Sequence, residues 1–401
     1  MNNIWIIASV WLATTLIASL ISVRLGISVA LVEIVLGVVG GNFLHFQTTA
    51  WIDFLASFGS ILLTFLAGAE IDPVSFRKHL KPSLAIGTIS FVLPFLGAFG
   101  FTLFVAHWTL RAAEIGGIAL STTSVAVVYA VMVETGLNRT EPGKLILAAC
   151  FVTDFGTVLA LGVLFASFNI WMLVFVVVTF AVLWKLPSLT RWIISTWGGR
   201  VSEVEVKFLF LILLFLGGLA TAANSEAVLP AYVVGLVVAG VFMHDRVLVS
   251  RMRGIAFALL TPFYFIKAGT YVSLPALLTG GLLIIALLAL KIATKFAGVW
   301  PLTRAFKLPA REGTYTTLLM STGLTFGSIA ALFGLTHGII SQAQYTILLT
   351  VVIGSAFVPT FIAQTWFLPK AARAKSPTAA TAASDSSETL NETQKVGAEP
   401  G

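Results

Sequence analysis

The sequence predicts an all-α polytopic membrane protein of about thirteen transmembrane helices, arranged as two halves of opposite orientation. Three observations predict it. With 58% hydrophobic and 10% charged residues and a mean hydropathy of +0.99, the 401-residue chain has too few polar groups to cover a water-facing surface. Apolar stretches of about 17 to 25 residues recur between short polar loops, the length a helix needs to cross hydrocarbon and unlike the alternating strands of an outer-membrane barrel. The basic residues, finally, segregate to alternate loops.

Taken in order, the expected spans are 4–22, 27–44, 52–69, 83–106, 112–133, 144–168, 170–186, 206–222, 228–243, 255–270, 278–300, 312–333 and 344–367. Nothing basic precedes the first, and it lacks a small-residue cleavage signal, so it is expected to be a retained helix rather than a signal peptide. Alternate loops then carry Arg24; Arg77, Lys78 and Lys81; Arg139 and Lys144; Lys185, Arg191, Arg200 and Lys207; Arg246, Arg251 and Arg253; Arg304, Lys307 and Arg311; and Lys370, Arg373 and Lys375. The loops on the other side carry Arg111 alone. The positive-inside rule therefore puts the N-terminus outside and the C-terminus in the cytoplasm. One missed or invented span would reverse every later loop and scatter these charges, so the segregation also supports the count.

An odd number of spans, divided as six, one and six, gives two halves of opposite orientation, the plan of transporters with a midplane site. Residues 1–370 form one membrane domain, and 371–401, rich in Ser, Thr, Ala, Glu and Pro, read as a disordered cytoplasmic tail. The net charge of +7 is accounted for by cytoplasmic loops and implies no nucleic-acid partner. Cys150 is the single cysteine, so an internal disulfide is excluded, and it is expected as a small core residue.

The sixth span carries one carboxylate, Asp154. Ten residues beyond Lys144, at about 1.5 Å each, it sits about 15 Å into a hydrocarbon layer about 30 Å thick. A charge that reaches neither interface marks a functional site by default. Few other groups within spans ionise. Glu33 lies either near the inner interface or on a funnel, and Lys267, close to a span end, is expected to snorkel. Lys291 and Lys295 are four apart and share one face of the eleventh span; either suits a partner for Asp154, and spacing alone leaves both open. The fifth and twelfth spans are polar in mid-course, through Ser121, Thr122, Thr123 and Ser124 in one and Ser321, Thr322, Gly323, Thr325, Gly327 and Ser328 in the other. Such runs favour local unwinding, tolerated in a membrane where the freed backbone is buried or lines a cavity.

With these residues in view, the chain resembles the monovalent cation/proton antiporter superfamily, in the branch of bacterial sodium/proton and potassium/proton exchangers (cation/proton antiporter-2 type). The resemblance spans nearly all of 1–370 and rests on FGSILLTFLAGAEID (58–72), LSTTSVAVVYAVMVETG with NRTEPGKLILAACFVTDFGTVLAL (120–161), LTPFYFIKAGTYVSL (260–274), KFAGVWPLTRAFKLPAREG (295–313) and STGLTFGSIAALFGL (321–335). It implies a homodimer in the cell (inner) membrane, with a dimerisation panel and a core bundle containing two crossed, interrupted helices. It implies an ion-binding acid at Asp154, a basic partner at Lys295 with Lys291 one turn away, and a polar stretch at Thr122, Thr123 and Ser124. Where some members have a first of two adjacent aspartates, this chain has Thr153, which with Thr122, Thr123 and Ser124 is a candidate ion ligand beside Asp154 and points to electroneutral exchange. Glu33 follows Val32 instead of the frequent glycine, so it is at most accessory, as are Thr322 and Thr325.

The expected function is secondary active exchange of Na+ or K+ for H+, with cation and proton competing for Asp154, no cofactor and no enzymatic step. Three rivals are weighed against it. A sodium-coupled organic anion symporter on a similar scaffold needs an anion pocket, and an ion channel suits a buried acid and base on separate helices less well than binding and release do. An intramembrane protease needs a second midplane aspartate or a midplane histidine, whereas His45, His79, His107, His244 and His337 all fall in loops or at span ends.

Overall fold

The structure, a computed structural model, describes residues 3–25, 28–44, 46, 48–69, 71, 73–135, 137, 140–165, 170–199, 202–223, 227–242 and 246–369. The expected tail 371–401, together with His45 and His244, lies outside them. Among the described residues there is helix and no strand.

The helices are α1 (Ile4–Leu25), α2 (Val29–Phe43), α3 (Ala50–Ala69), α4 (Pro73–Lys78), α5 (Leu80–Phe104), α6 (Leu110–Ser121), α7 (Val125–Glu134), α8 (Glu141–Leu164), α9 (Ile170–Trp197), α10 (Val204–Ala222), α11 (Val228–Phe242), α12 (Arg246–Ile255), α13 (Thr261–Thr270), α14 (Leu274–Thr279), α15 (Gly281–Ala305), α16 (Ala310–Met320), α17 (Thr325–Thr336) and α18 (Gln342–Trp366). Among the described residues, ten helical stretches are long and apolar enough to cross a membrane, and α2 and α11 are shorter apolar helices. The pairs α6 with α7 and α16 with α17 occupy the fifth and twelfth expected spans, and where its residues are described each expected span falls on helix.

Boundaries differ where a helix runs on past the hydrocarbon. Helix α9 continues from the expected end at 186 to Trp197, passing through Pro187 without stopping. The tenth span begins at Arg246 and is not uniform: a π-helical turn over Ala256–Leu260 joins α12 to α13, next to Pro262, which cannot donate to the ladder. Several termini are closed by hydroxyls. Thr109 accepts from the Ala112 N–H, Thr140 from Gly143, and Ser341 forms a reciprocal capping box with Gln344.

The helices divide into two packed bodies. One, the panel, pairs α2 with α13 and α3 with α11, with α1, α9 and α10 alongside. The α3–α11 pair crosses at Gly68 and Gly235, where any Cβ would strike the opposing backbone, so the contact is close enough to exclude side chains. The other body, the core, packs α5, α6 and α8 against α15 to α18. In span order the core takes the fourth to sixth and eleventh to thirteenth, the second triplet of each half, and the panel takes the first triplets with the seventh span between.

Candidate functional site

Both polar runs are breaks in their helices. Helix α6 stops at Ser121 and α7 starts at Val125; α16 stops at Met320 and α17 starts at Thr325. Each break ends a helix inside the protein, where carbonyls without an intrahelical partner would be costly, and the local hydroxyls take them up. Ser121 Oγ donates to the Ile118 carbonyl and Thr122 Oγ1 to Ala119. In the second break Ser321 Oγ donates to Thr317 and Thr322 Oγ1 to Leu319. Thr123 Oγ1 reaches across to the Met320 carbonyl at 2.9 Å, tying the first break to the end of α16. Ser124 Oγ accepts from the Val127 N–H and caps α7.

The two lysines of α15 are buried, and each serves a different break. Lys295 Nζ donates to Ser121 O at 2.8 Å, Ser90 Oγ at 2.8 Å and Thr123 Oγ1 at 3.1 Å, which uses all three ammonium protons and places the charge at the C-terminal, partially negative end of α6. Lys291 Nζ donates to Ser355 Oγ of α18 at 3.0 Å and lies against Gly323, where an added Cβ would strike the ammonium. Ser355 Oγ also lies 3.4 Å from the Gly323 carbonyl, so Lys291 belongs to the second break. Spacing left the two lysines equivalent; packing makes them complementary.

Asp154 is 1% exposed on α8, and neither carboxylate oxygen has a hydrogen-bond partner within the described structure. No lysine comes within ion-pair distance of it among the described residues, although its charge and that of Lys295 act on each other. It lines a cavity of about 710 Å³ together with Val125, Val127, Thr325 and Phe326. The first residues of α7 and α17 line this same cavity, so the partially positive N-terminal ends of both half-helices border the space the acid lines, while the partially negative end of α6 meets Lys295. The lining also includes Leu25, Arg253 and Gln364, at the helix ends next to the arginine- and lysine-rich loops, here termed the basic face.

The chain matches the family described as sodium/hydrogen exchanger, transmembrane, over residues 12–368. The chain belongs to the sodium/hydrogen exchanger family. Relatives of this exchanger include the probable Na(+)/H(+) antiporter 3 of Methanocaldococcus jannaschii, 22% identical over 355 residues, covering 86% of this chain and 90% of the relative. The Na(+)/H(+)-K(+) antiporter GerN of Bacillus cereus is 24% identical, covering 85% and 90%. The Cation/H(+) antiporter 18 of Arabidopsis thaliana is 26% identical over 80% of this chain, which spans 42% of that longer protein. Among solved structures, that of the sodium proton antiporter MjNhaP1 from Methanocaldococcus jannaschii at pH 8 superimposes with a TM-score of 0.67 over 90% of this chain and 98% of its own, at 16% identity, a likeness of fold.

Of the residues singled out in the exchanger's sequence, Asp154 and Thr325 share the cavity, while Thr122, Thr123 and Lys295 lie at the crossing of the breaks. Thr153 is buried next to the acid, but its hydroxyl is directed to the Gly87 and Ala149 carbonyls, at 3.2 and 3.1 Å. Glu33 is 2% exposed on α2 and is not among the residues lining this cavity. Cys150 is a buried core residue, its Sγ 3.6 Å from Met320 Sδ. His79 precedes α5, His107 lies between α5 and α6, and His337 follows α17, all at helix ends.

Lys267 departs from expectation. It does not snorkel free: it is 7% exposed and paired with Asp53 of α3 at 2.7 Å. Sequence reasoning passed over Asp53 because an acid in the first turn of a helix is ordinarily explained by the helix dipole and the interface. The buried Glu205, paired with Arg251 at 3.3 Å, was missed for the same reason.

Proposed function

We propose that the chain exchanges a monovalent cation, Na+ or K+, for protons by alternating access, and that cation and proton compete for Asp154. The observation that carries this reading is the pair of Asp154 carboxylate oxygens, buried without a hydrogen-bond partner at a cavity between two half-helix N-termini. Buried polar atoms normally have partners, and a carboxylate lacking them is suited to a proton or a dehydrated cation. Either one neutralises it, and both together leave a surplus charge. Moving the core past the panel with a bare carboxylate in hydrocarbon is costly, so the acid crosses loaded. One site that holds one of two cations at a time couples their opposite movements without ATP.

Lys295 bears on the stoichiometry. Only the ammonium form has three protons to give, and all three have acceptors, which favours a lysine that stays charged through the cycle. One cation then exchanges for one proton, and transport is electroneutral. The basic face is read as cytoplasmic, so the Asp154 cavity is open inward. The panel is read as the side on which a second copy docks in the cell membrane, which light scattering of the purified protein tests as a mass of two chains.

The test is proton flux in proteoliposomes on addition of Na+, K+ or Li+ in turn, for the wild-type chain and Asp154→Asn. The wild type moves protons against at least one of these ions, and the folded variant moves none. Exchange by the variant at the wild-type rate would overturn the site.

A further inference from the structure

The cavity at Asp154 has a counterpart. A second cavity of about 430 Å³ lies on the opposite face, between α3, α10 and α13 of the panel and α17 of the core. On α17, Phe326 lines the first cavity and Ile329 the second, leaving Gly327 and Ser328 between them. On α3, Ile61 lines the second and Leu63 the first, leaving Leu62. Two cavities that share the same pair of walls and are separated by a turn or less of each are two halves of one path, interrupted by a single layer of side chains. That layer includes the Tyr264 hydroxyl of the panel, 3.3 Å from Ser328 Oγ of the core, and the edge contact of Tyr232 with Phe326.

Lys267 lies in the wall of the second cavity, three residues beyond Tyr264 toward the opposite face. It holds Asp53 at 2.7 Å, and Asp53 is partly exposed, at 46% of its side chain. A buried cation in the wall of a path for cations raises the energy of any ion passing it, unless a negative group cancels its field. Here the two opposite charges cancel, and the vestibule is close to neutral.

We propose that the Lys267–Asp53 pair sets the affinity of the exchanger for the cation on its opposite, extracellular face, by fixing the net charge of that vestibule, and leaves affinity on the basic face untouched. This rests on the reading of the chain as a cation/proton exchanger with Asp154 as the shared site. The sign of the effect is fixed by charge. Asp53→Asn leaves an uncancelled lysine and weakens cation uptake from the opposite face. Lys267→Gln leaves an uncancelled carboxylate and strengthens it. The double variant restores neutrality and returns toward the wild type.

The experiment measures the cation concentration for half-maximal proton flux in right-side-out and everted vesicles, so that the cation reaches the opposite or the basic face respectively. With the cation on the opposite face, the expected shifts are about 3- to 10-fold upward for Asp53→Asn and about 3- to 10-fold downward for Lys267→Gln, the range for one unit charge at a partly solvated distance. In everted vesicles all variants match the wild type. Shifts of the same sign in both single variants, equal shifts on both faces, or no shift overturn the proposal. Should one single variant fail to fold, the other and the double variant still decide the sign. Absence of exchange by the wild type would instead overturn the underlying function.

Discussion

Lys295 of α15 donates to the carbonyl oxygen of Ser121, 2.8 Å away, although the two are separated by 174 positions in the sequence. The bond places a positive charge at the buried C-terminal end of a helix dipole in the middle of the core, and with Ser90 and Thr123 it ties α5, α6 and α15 together.

Replacing Lys295 by Met removes the charge and leaves these acceptors without a donor. Hydrogen bonds to a charged group contribute about 1.5 to 3 kcal/mol each and are not additive, so the variant is expected to lose about 2 to 4 kcal/mol of stability together with exchange. Thermal melting of the purified protein and proton flux check the two losses; a fully stable variant would contradict the capping role.

Gly323→Ala sets a methyl group against Lys291 Nζ, Thr122 Oγ1 and Ser355 Oγ. Overpacking costs about 1 to 3 kcal/mol where neighbours are fixed, and these neighbours are held by hydrogen bonds. The expected outcome is a destabilised protein with exchange strongly reduced. The companion change Ser355→Ala, which removes the acceptor and adds no bulk, is expected to destabilise to a comparable extent, about 1 to 3 kcal/mol by the same melting assay, and to retain more exchange.

Thr153→Val discriminates between two roles for the neighbour of Asp154. Its hydroxyl is directed to backbone carbonyls, so removing it is expected to lower stability by about 1 kcal/mol and leave the half-saturating cation concentration within about twofold of the wild type. A tenfold rise in that concentration, measured by titrating proton flux, would instead place the hydroxyl on the ion.

Tyr232→Phe removes a hydrogen bond that crosses from panel to core, from the Tyr232 hydroxyl to the Phe151 carbonyl at 3.0 Å. On the alternating-access reading proposed above, the bond holds the arrangement described here, and its loss is worth about 1 kcal/mol, or about fivefold in the balance of the two arrangements. Cysteine labelling at Ile329, on the opposite-face cavity, is expected to rise in this variant; unchanged labelling would show that the bond persists in both arrangements.

An electroneutral exchange carries no net charge. A membrane potential imposed across proteoliposomes is therefore expected to leave the equilibrium cation gradient unmoved, and a gradient that follows the potential would show that Lys295 releases its proton.

Hydropathy and hydroxyl runs were enough to anticipate the long apolar helices, that the fifth and twelfth expected spans are interrupted, and that Asp154 is buried. These features are written locally: a bilayer selects apolar length, and a Ser, Thr and Gly run within it has few ways to satisfy its backbone except at a break. The partition into panel and core, the separate duties of Lys291 and Lys295, and the pairing of Lys267 with Asp53 are not local. Each depends on which helices, far apart in sequence, come to pack side by side, and side-chain spacing along one helix carries no record of its neighbours. Apolar composition and length were legible residue by residue and fixed the membrane class; which charges meet was not, because a buried charge is defined by the partners that packing brings to it.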